Sequence, residues 1–324
     1  MRNLQLEAAI WNLFTSSEFF EAAACECEET MEWFGTLAIS RQVAGFGRNN
    51  QIFDAFKTLA SDFRRGAELA RLGDYQLIWD TARCVNGDVR GMMEQPLHSW
   101  MTEAEYQVFS HVRISRLLTF ASKIERALNN AMVKGESFFD PDPECPERRD
   151  DDDGFPGDDI VCRYNSYVNW DQGRPFPKLP DPLPEYVIDT SIACQTGDEV
   201  PWTGVWYPNS GLDNHSLSFA IKGFRMQPAF RITKTKEELE AEGVLFPTAE
   251  TVAVAVTWHP VIISARQADP DKELWAKAGE SCPKAGMWQP TDPGAAQRRY
   301  EAGETMAQLK SAHGLTVWRW AGER

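Results

Sequence analysis

Residues 140–159 read DPDPECPERRDDDDGFPGDD, and residues 173–184 read GRPFPKLPDPLP. Proline removes a backbone donor and fixes φ, so neither stretch suits a helix interior or a central strand. This joint divides the chain into two parts with different hydrophobic periods. Before it, Phe20, Ala23, Cys27, Met31 and Phe34 recur at three- and four-residue steps, as do Ile52, Phe56, Leu59, Phe63 and Ala70. Ile114, Leu117, Ala121, Ile124, Leu128 and Ala131 draw a further stripe, and Gly135 is a natural stop. Thr102 with Glu105 spells a capping box, and Asp74 is positioned to cap a helix over 74–93. An antiparallel helical bundle over 1–135 follows.

After the joint the texture is that of strands. TVAVAVTW (251–258) and LTVWRW (315–320) are the best of them, rich in β-branched and aromatic residues. KTKEELEAEG (234–243) offers a short helix ahead of them, and seven of the twelve Trp lie beyond residue 186. The expected fold class is α+β: the N-terminal bundle, an acidic Pro-rich joint over 136–185, and a Trp-rich, mainly antiparallel β region over 186–324.

One pattern occurs twice in that region. GDEVPWTGVWYP (197–208) and GESCPKAGMWQP (279–290) both read G-[DE]-x-x-P-x-x-G-x-W-x-P, 82 residues apart. Pro201, Gly204 and Trp206 match Pro283, Gly286 and Trp288. Apart from one acidic position, the shared residues supply no nucleophile, base or metal ligand. They suit a turn leading into a strand whose indole anchors a core. A sugar-stacking role for Trp206 and Trp288 is the functional rival. The following segments, 209–232 and 291–312, share little, so a duplicated β unit stays open at this point.

Charge is unevenly spread. The net charge is −15, and the 136–185 joint alone carries 5 Lys/Arg against 14 Asp/Glu. Such a field disfavours nucleic acid and anionic membrane and suits a basic protein partner, with a solvated linker as the bland alternative. The candidate contacts are Asp150, Asp151, Asp152, Asp153, Asp158 and Asp159. The run is not an EF-hand: Gly154 at loop position 6 would put Arg149 at position 1 and Ile160 at position 12.

No motif asks for a cofactor or a metal. There is no Gly-x-Ser-x-Gly, no Walker loop, no His-Glu-x-x-His and no Cys-x-x-Cys. Cys25 and Cys27 lie about 200° apart on a helix, one facing in and one out. His259, between Trp258 and Pro260, is expected to end a strand in a structural role. No apolar run reaches the ~18 residues of a membrane span. Seven scattered cysteines and no export signal point to free thiols in the cytoplasm.

The C-terminal segment resembles the signature of the bacterial immunity proteins 71 and 72: Gly-Glu-x-Cys-Pro-x-x-Gly-x-Trp, then Arg-aromatic, Gly-x-x-Met and a closing Trp-x-Trp. Gly279, Glu280, Cys282, Pro283, Gly286, Trp288, Arg299, Tyr300, Gly303, Met306, Trp318 and Trp320 carry it. Val200, Pro201, Thr203, Gly204 and Trp206 resemble a second segment of that family. The resemblance implies a non-enzymatic protein encoded beside a polymorphic toxin, of type VI secretion or Rhs type, that binds and blocks the cognate toxin effector domain. A homodimer, an enzymatic immunity that reverses the toxin's modification, and a carbohydrate- or cell-wall-binding module are the other expectations carried forward.

Overall fold

A computed structural model describes residues 3–43, 51–132, 175–209, 217–234, 236–245, 250–264, 274–291, 294–309 and 316–323. It is an α+β protein, helices first and antiparallel sheets second.

The apolar stripes become the buried faces of α1 (Leu4–Phe14), α2 (Ser17–Ser40), α3 (Gln51–Arg71), α4 (Gln76–Met93) and α6 (Ser115–Met132). A short α5 (Glu103–Gln107) widens through a π-helical turn at Val108–Ile114 and runs on into α6. Helix starts follow local chemistry. Asn3 Oδ1 accepts from Leu6 N, Ser16 Oγ accepts from Phe19 N, and Thr102 and Glu105 form the reciprocal capping box. Asp74 lies one residue further out than expected. Helix α4 opens after Tyr75, and Asp74 Oδ1 accepts from Gln76 N at 3.0 Å.

All six residues of the Ile114–Ala131 stripe are buried, and in the π turn Phe109 packs against Phe34 and Phe56. One charge pair sits inside this core. Arg116 Nε donates to Glu26 Oε2 at 2.9 Å with both side chains almost wholly buried, keying α6 to α2. The Arg116 guanidinium also lies 4.2 Å over the ring of Phe176, so the chain returning from the joint packs on α6. Such a pair contributes little net stability, but removing one partner strands a buried charge.

The β region forms a five-stranded sheet, a four-stranded sheet and a two-stranded ribbon, with every pairing antiparallel. The first sheet holds β1 (Tyr186–Ile188), β2 (Cys194–Gln195), β3 (Gly204–Asn209), β4 (Ser218–Ala220) and β7 (Thr257–Ile263). Its order is β1-β7-β3-β4, with β2 also pairing β7. The ribbon joins β5 (Ala229–Lys234) and β6 (Glu250–Val254), with α7 (Lys236–Ala241) between them in sequence. The second sheet holds β8 (Trp275–Lys277), β9 (Gly286–Pro290), β10 (Arg298–Tyr300) and β11 (Val317–Gly322) in the order β10-β9-β11-β8.

TVAVAVTW is not one strand. Thr196 interrupts it: its N–H donates to Val256 O at 3.1 Å and its Oγ1 accepts from Val256 N at 3.0 Å. The residues before Val256 go to the ribbon and those after it to the first sheet. His259 consequently lies inside β7, opposite Tyr207, rather than at a strand end.

One face of the first sheet joins the helical core through Val205, Phe219 and Val261. Gln5 of α1 completes its edge, donating to Tyr186 O and accepting from Tyr186 N.

Candidate functional site

The two copies of the Gly-Pro-Gly-Trp pattern are the entrances of two equivalent β units. In the first, Gly197 N donates to Met226 O and Met226 N to Asp198 O; in the second, Gly279 N donates to Met306 O and Met306 N to Glu280 O. Val200 N donates to Phe224 O and Val200 O accepts from Gly223 N, while Cys282 N donates to Glu304 O and Cys282 O accepts from Gly303 N. Trp206 Nε1 donates to Trp202 O at 3.2 Å, and Trp288 Nε1 donates to Lys284 O at 3.0 Å.

Strand registers agree as well. Gly204 faces Ala220 as Gly286 faces Tyr300, and Pro208 faces Trp258 as Pro290 faces Trp318. Strands β4-β3-β7-β2 thus repeat as β10-β9-β11-β8.

Each unit has its own small core, and the cores match position by position. Cys194, Val200, Trp206, Ala220, Met226 and Trp258 in the first stand where Ala276, Cys282, Trp288, Tyr300, Met306 and Trp318 stand in the second. Two fully buried indoles dominate each core. Burying ~200 Å² of indole at ~25 cal/mol per Å² contributes about 5 kcal/mol gross per ring, which helps so short a unit to order.

The constant offset of 82 residues hides this relation in the sequence. It falls to 80 after the corner loop. It then falls to 60, because Met226 and Trp258 are 32 positions apart while Met306 and Trp318 are 12 apart. The β5-α7-β6 ribbon is the insertion that lengthens the first unit. Gly-x-x-Met, at Gly223–Met226 and Gly303–Met306, is the signal that a search at offset 80 would find.

The sequence-derived motif residues therefore come together as framework. Trp206, Trp288 and Trp318 are 0 % exposed, so none can stack on a sugar. This removes the glycan-binding role considered for Trp206 and Trp288. Cys282 is buried, with Sγ 3.0 Å from Lys284 O, and Trp320 is half-buried beneath Lys284, whose Nζ lies 3.7 Å from the ring centroid. Pro201 and Pro283 sit at the exposed surface of their corners. Gly204 (φ +156°) and Gly286 (φ +148°) start β3 and β9 where a Cβ would collide. At Gly204 it would meet the Trp202 ring; at Gly286, the Gly322 carbonyl oxygen. Asp150, Asp151, Asp152, Asp153, Asp158 and Asp159 lie outside the described residues.

The outward faces of the two units have diverged. On the first, Val205, Tyr207, Phe219 and Val261 pack against the helical core. The second has Met287, Gln289, Arg299 and Ala321 at the matching positions, and Arg319 where the first has His259. Of these, Gln289 and Arg319 line an open cleft of ≈ 630 Å³ against α2 and α3, whose walls also include Glu18, Glu21, Arg64, Glu68, Arg71 and Trp275. Arg71 straps the walls together, with Nη2 2.6 Å from Glu21 Oε1 and Cζ 4.7 Å from the Trp275 ring centroid. Arg64 holds Glu28 through two bonds, and those bonds raise its already high pKa further; Arg65 pairs with Glu68. Nothing in the sequence announces this site, because residues more than 200 positions apart build it.

Arrangements that resemble catalytic groups have the wrong connections. Asp189 Oδ1 accepts from Ser191 N and Oγ, which lowers its pKa, while His259 Nδ1 faces Ile192 O at 2.7 Å. Serine, acid and imidazole are thus neighbours without a relay. Burial pushes the Cys27 thiol well up, helped by Glu26 and Glu28, which keeps it from acting as a thiolate. Among the described residues, no group of three or more His, Cys, Asp or Glu is placed to hold a metal ion, and no helix is long and apolar enough to cross a membrane. No family model, curated protein or solved structure matches the chain.

Proposed function

We propose that this chain is an immunity protein of the 71/72 kind, which neutralises a cognate toxin domain by stoichiometric binding in the cytoplasm rather than by turnover. The observation that carries this is the placement of the residues behind the resemblance. Cys282, Gly286, Trp288, Met306 and Trp318 fall in one β unit and build its corner and core. The residues that carry the likeness thus share one framework rather than being scattered identities. With those residues spent on the framework, recognition is left to the surface. An inhibitor with a net charge of −15 gains association rate toward a basic toxin. The six aspartates of the joint are the proposed charged contacts.

The test is co-expression with the C-terminal domain of the protein encoded immediately upstream, followed by titration of the purified pair. Full protection at about one copy per toxin is expected. Protection well below that ratio favours an enzymatic immunity, and absence of protection at any ratio sinks the proposal.

A further inference from the structure

We infer that β6 is an open edge at which two copies of this chain pair, antiparallel, about a two-fold axis at Ala253. The β5-α7-β6 insertion is where the two units differ most in length. The second unit closes the same framework with Met306 and Trp318 only 12 positions apart, so the insertion is not needed to build a unit. Exposed apolar side chains gather on it: Val244, Leu245 and Val252 all face solvent. A two-stranded ribbon is marginally stable alone and has edges to offer. Among the described residues β6 pairs only with β5, and no backbone group of Val252, Ala253, Val254 or Ala255 is bonded outside that ribbon. Natural edges usually carry Lys, Pro or a bulge that turns a second strand away. Residues 251–257 have no charge and no Pro, and the ribbon's register shift lies at its far end, between Ile232 and Lys234.

The sequence selects the occupant. Residues 251–257 read TVAVAVT, the same in both directions. A two-fold contact requires that residue i meet j while j meets i, and a strand that reads alike both ways meets this with like against like. Val256 cannot join the ladder, because Thr196 takes both its N–H and its C=O. The usable symmetric part is therefore Val-Ala-Val at 252–254, centred on Ala253. About that centre Val252 meets Val254 of the second copy and Ala253 meets Ala253, so β-branched pairs flank the axis. Charge points the same way. A basic partner is drawn by acidic groups, and residues 251–257 have none. An uncharged strand is complemented by another, and this pairing sets no like charges across the axis. The result is a continuous sheet in the order β5-β6-β6-β5. A contact this short is at the small end of specific interfaces, so the dimer is weak and concentration-dependent. The inference does not depend on the immunity proposal.

Sedimentation velocity of the full chain over a concentration series reads the dimer, at about 0.15 M salt so that repulsion between two acidic molecules is screened beyond ~8 Å. A monomer–dimer equilibrium is expected. Ala253→Lys and Ala253→Glu, both at an exposed position, should each weaken it about fivefold or more, because each sets like charges against each other on the axis. Mixing the two variants should restore the dimer, which neither misfolding nor a contact elsewhere would do. Asn86→Lys, exposed on α4, should leave the equilibrium unchanged. In a Cys84→Ser background, Ala253→Cys should oxidise to a disulfide-linked dimer, since facing Cα atoms of an antiparallel pair lie about 4.5–5.5 Å apart. Ser61→Cys, exposed on α3, should not. A chain that stays monomeric at every concentration, a dimer indifferent to both charged substitutions, or a mixture that does not recover overturns the inference. A monomeric chain whose affinity for the toxin domain falls with Ala253→Lys also overturns it and gives the edge to a strand of the toxin. A dimer that gives no protection sinks the immunity proposal and leaves the interface standing.

Discussion

The guanidinium of Arg71 lies 4.7 Å over the ring of Trp275 while Nη2 holds Glu21 at 2.6 Å. One side chain at the end of α3 thus ties α2 to the edge strand of the second β unit. The two units meet the helices differently: the first shares their apolar core, and the second meets them across a polar cleft at this strap. Its Trp core is a separate cluster from that of the bundle. Stability should therefore divide along the same line.

Trp288→Ala empties the second core and removes the Nε1 hydrogen bond to the Lys284 carbonyl oxygen, which keeps only the Cys282 thiol as donor. A loss of ~3–5 kcal/mol is expected for a fully buried Trp, comparable with the gross contribution of that ring. Near-UV circular dichroism from the second unit should disappear while the helical signal at 222 nm keeps its melting temperature. Trp206→Ala should lower both, because Val205 and Tyr207 of the same strand pack on the bundle. Equal effects of the two substitutions on the helical melt would contradict this division.

The two corner glycines predict an asymmetry. A Cβ at Gly286 would come 2.4 Å from Gly322 O, which is backbone in the neighbouring strand. At Gly204 it would come 2.2 Å from the Trp202 ring, a side chain that is 37 % exposed and free to swing out. Both alanines pay for an unfavourable φ, about 1–3 kcal/mol. Gly286→Ala should cost more, and Trp202→Ala should recover part of the Gly204→Ala loss. Urea unfolding of the single and double variants measures both, and an absence of recovery would place the Gly204 penalty in the backbone alone.

The helical half was legible because apolar stripes have a period and caps have a spelling. Ile114–Ala131 and Thr102–Glu105 fold as read. The β half was legible in class and in its corners, since Pro, Gly and Trp each carry a conformational meaning. Its duplication was not, because insertions between β4 and β7 break any constant offset while leaving hydrogen-bond register untouched. The cleft was not legible either. Glu18, Arg71 and Arg319 read as ordinary surface charges until two distant parts of the chain set them face to face.

Glu105 predicts an acid-sensitive helix start. The Arg41 guanidinium at 2.7 Å, followed by the Thr102 backbone N–H, holds its carboxylate down to about 2. A depressed folded-state value means that the contribution is complete above the ordinary carboxylate range and is lost as pH falls through about 2. A carboxyl-carbon NMR titration should place the Glu105 midpoint near 2, and Arg41→Ala should move it toward the ordinary value. A midpoint unchanged by that substitution would assign the shift to the capping box instead.

Changing Asp150, Asp151, Asp152, Asp153, Asp158 and Asp159 to Asn tests the charged contacts assigned to the joint. Long-range attraction sets association more than dissociation, and its reach shrinks to about 8 Å at physiological salt. The sextuple variant should therefore associate more slowly with the toxin domain at low salt and show a flatter dependence on ionic strength. Its dissociation rate should change little. Stopped-flow association at several salt concentrations reads both quantities. An unaltered salt slope removes the joint from recognition, and a faster dissociation alone shows that the aspartates act as short-range contacts rather than as a steering field.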